Sequence, residues 1–191
     1  NGLIKRQKSL PVREIWLVDV ELGREKVDII AAFTRRMLKH VGLDWEVHQT
    51  LDRRTALKGA DFVATQFRVG GIETRILDER IPLSHGLIGQ ETNGAGGVFQ
   101  ALRTVPVVVD IAKDMKDLCP SAWWINFTNP SGIVTQAIIK EGGWERVVGL
   151  CNVPLIHKSN ESAALDTPES DLFFKFAGLD HFHWHRVWDR D

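Results

Sequence analysis

Tyrosine is missing from this 191-residue sequence altogether, cysteine occurs twice and methionine twice. Neither sign of charge is in excess, with 24 Lys and Arg against 25 Asp and Glu for a formal net charge of −1. Each shortage excludes something. Without tyrosine, no phenol can act as an acid or base from within these residues. Two cysteines, Cys119 and Cys151, cannot make a disulfide framework, and such usage points to a reducing, cytoplasmic setting. A near-neutral chain has no field for gripping nucleic acid or an anionic membrane. No uninterrupted apolar run approaches the roughly 20 residues that span a bilayer, so neither nucleic acid nor membrane is expected as a partner. The chain opens on Asn1 rather than Met, inside a basic stretch that reads as helix to Lys8, and is expected to be a piece of a longer protein.

What is present has the balance of a folded domain: 43% hydrophobic and 26% charged residues. A chain this long buries roughly 70% of its unfolded surface without needing disulfides or metal. Short apolar runs at 14–20, 46–50, 60–67, 121–126 and 146–152 suit strands buried in a parallel sheet. Between them, residues 23–41 place Val27, Ile30, Ala31, Thr34, Met37, Leu38 and Val41 at helical steps, ended by Gly42. Residues 53–58, 73–80, 98–118 and 130–139 also read as helix, the last with Pro at its start. The stretch 173–188 alternates and carries His181, His183 and His185 at every second position. Strands alternating with helices make βαβ units and a parallel α/β sheet, whose ligands bind beyond the carboxyl ends of the strands. Chemistry is therefore expected at Asp19, residues 66–71, residues 126–129 and Cys151-Asn152.

Several residues on that rim have chemistry to offer, and each has a plainer reading beside it. Asp19 ends what is by position the second strand of a Rossmann unit, where an acid accepts hydrogen bonds from the adenosine ribose and disfavours the phosphate of NADP. It can equally be a solvated strand-end acid. Gly94, Gly96 and Gly97 follow no strand and read as a tight turn before a helix rather than a phosphate cradle. Cys151 and His181 offer a thiolate and an imidazole, a half-site for a divalent transition metal with positions left for substrate oxygens. Singly, each is as easily structural. The three alternating histidines share one face of a strand, which admits a three-histidine zinc site or one half-buried strand with aromatic neighbours. Arg68, Arg75 and Arg80 can hold a phosphate bidentately, or pair with Glu73, Asp78 and Glu79 along a helix. Asn126 and Asn129 can fix ligand hydroxyls, or simply build a turn before Pro130.

Five motifs then act together: FRVGG (67–71), LDERIPLSHGLIGQET (77–92), NFTNPSG (126–132), GLCNVP (149–154) and FAGLDH (176–181). In order and spacing they resemble glycoside hydrolase family 4 over essentially the whole chain, most closely the members acting on 6-phosphorylated β-glucosides such as cellobiose 6-phosphate. The resemblance implies a doubly wound Rossmann-like α/β fold, similar to lactate and malate dehydrogenases. Residues 1–153 would be an NAD-binding domain lacking its first strand and glycine loop, and 154–191 the start of a catalytic domain. It implies NAD and a divalent metal, usually manganese. The chemistry implied is a hydride passing from sugar C3 to NAD, loss of the C2 proton, elimination from C1, addition of water and return of the hydride, in place of the two-carboxylate route.

Carried over by position, Cys151 and His181 match metal ligands. Arg75 and Asn129 match substrate contacts, Arg68 is assigned to the sugar or its 6-phosphate, and Asp19 and Asn126 to the cofactor. Glu91 matches an acid that raises the basicity of a catalytic tyrosine, itself expected downstream of Asp191. α-Specific members carry Asp after the metal cysteine; here it is Asn152, an amide that favours β-specificity and a substrate-binding role. Asp180 stands where the family usually has Asn. Dimers or tetramers are the family habit. Other family 4 specificities (6-phospho-α-glucosides, α-galactosides), a plain NAD-dependent dehydrogenase and an inactive nucleotide-binding piece are the alternatives.

Overall fold

The computed structural model describes residues 2–179 and 182–189, and its elements follow the expected alternation. In order they are α1 (Gly2–Lys5), β1 (Glu14–Val18), a 3-10 turn (Glu21–Gly23), α2 (Arg24–His40), β2 (Glu46–Thr50), α3 (Arg53–Leu57) and β3 (Phe62–Thr65). There follow α4 (Gly71–Ser84), α5 (Gly94–Leu118), β4 (Trp123–Asn126), α6 (Ser131–Lys140), β5 (Val147–Gly149), α7 (Val153–Ala164), β6 (Leu172–Leu179) and β7 (Phe182–Asp189). The chain divides into two compact units, one of Asn1–Val63 with Asp110–Trp123, the other of Ala64–Val109 with Trp124–Asp191. Within the second unit, Glu161 of α7 bonds His185 of β7 (3.1 Å).

In the first unit, β1 and β2 pair in parallel from Glu14 opposite Glu46 to Val18 opposite Thr50. The inward residues Ala31 and Leu38 of α2 meet Val47 of β2, with Ile4, Leu17, Leu43 and Trp45 packed around them. Ile30, read as part of that face, is half exposed, because the buried stripe runs through Val27, Ala31 and Leu38. Asp114, in the last turns of α5, accepts from Arg53 Nε (2.7 Å) and also pairs with Arg54, holding α3.

The second sheet has the order β3-β4-β5, and β4 runs parallel to β5 with Asn126 opposite Gly149. α6 buries Val134, Ala137 and Ile138 and packs on β5. Gly149 makes that approach possible, since a methyl group there would run into the Thr135 hydroxyl. The alternating stretch 173–188 is an antiparallel hairpin and not one strand, with Phe173 opposite Trp188 and Leu179 opposite Phe182. Only two positions separate its strands, too short a break to interrupt the alternation.

Two further differences concern α5. Gly94, Gly96 and Gly97 belong to its first turn and do not form a separate turn ahead of it. A methyl group at Gly96 would overlap the carbonyl oxygens of Gln90 and Asp78, and one at Gly97 would come within 3.0 Å of the Thr92 carbonyl carbon. These glycines let the helix start against backbone. Secondly, α5 is 25 residues long with a window of mean hydropathy 1.3, long and apolar enough to cross a membrane by length and composition. Scanning for uninterrupted apolar runs misses it because Gln100, Arg103, Thr104 and Asp110 break the pattern. Ala101, Thr104, Val108, Ile111, Ala112 and Met115, at helical steps, are buried in the fold.

Candidate active site

Consecutive strand ends of the second unit are stitched together by hydrogen bonds just beyond the sheet. The Phe67 amide donates to the Thr128 hydroxyl (3.3 Å), joining the residues just before Arg68 and Asn129. The Leu150 amide donates to the Asn126 carbonyl (2.9 Å), which sets Cys151 beyond the end of β4. Three of the segments expected to carry chemistry thus form one continuous edge.

Asn126 is the centre of that stitching. Its side chain is fully buried: Oδ1 accepts from the Thr65 hydroxyl (3.1 Å) and the Thr128 amide (3.1 Å), while Nδ2 donates to the Thr135 hydroxyl (3.1 Å) and the Thr128 carbonyl (3.4 Å). Buried Trp124 donates its indole N–H to the same Thr65 hydroxyl (2.8 Å). Its whole amide is thus engaged in holding β3, the 127–129 loop and α6. Sequence pattern could not show this, since the partners Thr65 and Thr135 are ordinary threonines.

Arg68, Arg75 and Glu91 come together. Arg68 forms an ion pair with Glu91, and Arg75 Nη1 lies 3.5 Å from its second oxygen. Glu91 is nearly buried, at 13% side-chain exposure, while Arg68 and Arg75 are partly exposed, at 25% and 40%. Arg75 also bonds Glu79 one turn on (2.9 Å); that hydrogen bond, and then the Glu91 charge, push the guanidinium pKa up against the opposing effect of burial. One i,i+4 pair is as expected, but Asp78 turns away from it. Buried Asp78 takes both terminal nitrogens of Arg103 from α5, and Arg103 further reaches Gln100 (2.7 Å) and the Val69 carbonyl (3.4 Å). Arg103 so fixes α4 and the 68–70 loop, a role with no signal in a sequence where its partners lie far away. Arg80 is exposed and takes no part in the cluster.

Cys151 is half buried two residues after β5, with Sγ 4.0 Å from Asn152 Oδ1; exposed Asn152 is the residue before α7 and its side chain makes no cap hydrogen bond there. Asn129 is half buried and joined to Pro130 by a cis peptide. His181 and Asp180 lie outside the described residues. His183 and His185 share a face of β7 and meet His157 of α7, ring centroids 5.0 and 5.5 Å apart, with Phe176 against both. Among the described residues, the only three metal-capable donors converging within 4.8 Å are Glu14, Glu46 and His48. These pair on the open surface, His48 at 3.3 and 3.2 Å from the two carboxylates.

In the first unit, Asp19 follows β1 and its Oδ1 accepts from the Val20 amide (2.7 Å). Its carboxylate lies over the α-carbon of Gly23, the residue before α2.

Residues 1–166 match the model of the family 4 glycosyl hydrolases. The chain belongs to glycosyl hydrolase family 4. It is 54% identical over 180 residues to the probable 6-phospho-β-glucosidase of Bacillus subtilis, covering 94% of this chain and 41% of that one. The solved 6-phospho-β-glucosidase of Thermotoga maritima with manganese, NAD+ and glucose-6-phosphate superposes with a TM-score of 0.88 at 33% identity, over 99% of this chain and 45% of that one. Lactate dehydrogenase of Eimeria maxima, with a TM-score of 0.62 at 15% identity over 92% of this chain and 47% of that one, shares the fold alone. The fold of this family 4 chain is thus Rossmann-like α/β with parallel sheets. The chain spans about two fifths of the length of the curated relative it matches.

Proposed function

We propose that this chain forms the NAD-binding part and the sugar-binding edge of a cytoplasmic enzyme that hydrolyses 6-phosphorylated β-glucosides, in a dimer or tetramer. The observation that carries the reading is the pair of partly exposed guanidinium groups, Arg68 and Arg75, drawn together by a nearly buried Glu91 on the edge that also bears Asn129 and Cys151.

The two cations are matched in charge by Glu91 and Glu79, so the claim to phosphate rests on shape: planar guanidinium groups match phosphate oxygens bidentately. Arg68 and Arg75 would bind the 6-phosphate or the hydroxyls near it. Asn129 and Asn152 would orient hydroxyl groups, and an amide at 152 gives no proton to an α-linked leaving group. Glu91, fixed between the two guanidinium groups, would orient a neighbouring proton carrier. Asp19 would accept the ribose hydroxyls of the dinucleotide.

The residues fit both cofactors the relatives suggest. Asp19 presents its carboxylate at the strand end, where only a glycine at 23 leaves space for it. Cys151 brings a soft thiolate to a half-open position, a donor of the kind divalent transition metals accept, and the family resemblance would add the imidazole of His181, which lies outside the described residues. When bound, NAD supplies a reversible hydride acceptor and the metal a Lewis acid.

The test is turnover of a nitrophenyl 6-phospho-β-glucoside in heavy water with NAD and manganese. Deuterium at C2 of the released sugar phosphate is expected, since proton loss there distinguishes this route from direct displacement and from simple hydride transfer at C3. Hydrolysis without exchange, or equal use of the unphosphorylated glucoside, overturns the reading.

A further inference from the structure

Gly23 is the last residue of the 3-10 turn between β1 and α2, and it is buried. Its φ of −100° is open to any residue, so backbone strain does not require glycine here. What requires it is Asp19. A methyl group built at Gly23 would overlap the carboxyl carbon and both oxygens of Asp19. The three atoms nearest to that methyl all belong to the Asp19 side chain, so this overlap is relieved when the carboxylate moves away, without a shift of strand or helix. Substitution at 23 therefore selects where one charge sits.

We infer that Gly23 is the residue that determines dinucleotide specificity, acting through Asp19; this rests on the proposal that the chain binds NAD. A carboxylate at the end of this strand accepts from the ribose hydroxyls of NAD and repels the 2′-phosphate of NADP. With glycine at 23, the carboxylate lies flat over the helix entrance, steadied by the Val20 amide. With any larger residue it is displaced, losing the ribose bonds and the repulsion together. Arg24, the residue after Gly23 and bonded to Glu21 at 2.8 and 2.7 Å, is then a cation available to a 2′-phosphate. Gly23 touches no ligand and is a positioning residue.

Binding of NAD and of NADP is measured by tryptophan fluorescence for the wild type, Gly23→Ala, Asp19→Ala and the double variant. Gly23→Ala is expected to weaken NAD about tenfold, the scale of one lost charge-assisted contact, without weakening NADP. In the Asp19→Ala background, where the overlapping atoms are gone, Gly23→Ala is expected to change neither. Equal weakening of both dinucleotides, or the same loss with Asp19 absent, overturns the inference and marks Gly23 as structural. A Gly23→Ala chain that fails to fold while the double variant folds supports the Asp19 overlap. A wild type with no preference for NAD overturns the reading of Asp19, and the inference with it.

Discussion

The two cysteines illustrate how far one residue type can differ by position. Burial pushes the Cys119 thiol pKa up, so it is a poor nucleophile inside the fold. Cys151, half open at the strand edge, is the reachable one. Alkylation by iodoacetamide, followed by mass spectrometry, is expected to label Cys151 first and Cys119 only on unfolding. Manganese is expected to slow the Cys151 reaction, and equal labelling with and without metal would remove Cys151 from the ligand set. Cys151→Ser should keep the melting temperature, because the side chain fills no core space, while manganese affinity falls at least about tenfold through loss of the thiolate. At Arg75 the expected signature is in substrate choice. Arg75→Ala should raise KM for the 6-phosphorylated glucoside far more than for its unphosphorylated analogue, as steady-state kinetics on the pair will show.

Between the elements, buried polar groups do the joining, and their loss is predictable in sign. Asn126→Ala leaves the Thr65 hydroxyl and the Thr128 amide without their acceptor inside the fold, a cost of about 2–4 kcal/mol at roughly 1–2 per buried donor. Urea unfolding measures it. Arg103→Leu strands the buried Asp78 carboxylate and should cost about 3 kcal/mol or more, whereas adding Asp78→Asn to it should restore part of the loss by removing the unpaired charge. At Asp114, burial alone would raise the carboxyl pKa, but the hydrogen bonds and charges of Arg53 and Arg54 outweigh it and hold it below the ordinary value. Its stabilisation is thus present above the unfolded-state pKa and lost as pH falls through the folded one, so Asp114→Asn should flatten the acid limb of the stability profile.

These joints also show what a sequence can and cannot display. Period and punctuation located β2 to the residue and every helix from α2 to α6, because apolar spacing is a local property. The rim positions followed from strand ends alone. Asp78–Arg103, Thr65–Asn126 and the inward turn of Asn126 did not, because each depends on which of many similar polar residues the fold makes neighbours. The hairpin after Leu172 was hidden by its own regularity, its alternation running through the break.

At the scale of the chain, the absence of net charge bears on how the anionic substrate of the proposed function would be gathered. A doubly charged phosphate gains nothing at long range from a chain of formal charge −1. Under the proposed function, attraction would come from Arg68 and Arg75 at close quarters, where partial burial limits screening, although Glu91 and Glu79 already pair with them. The Debye length shrinks from about 30 Å at 0.01 M salt to about 8 Å at 0.15 M, which removes steering from distant charge but leaves contacts a few ångströms long. kcat/KM for the phosphorylated glucoside should accordingly fall less than about threefold across that range, measured at fixed NAD and manganese. Its preference over the unphosphorylated glucoside should survive in full. A steep fall with salt would mean that a wider basic field gathers the substrate, and that the Arg68–Glu91–Arg75 cluster is only an internal ion pair.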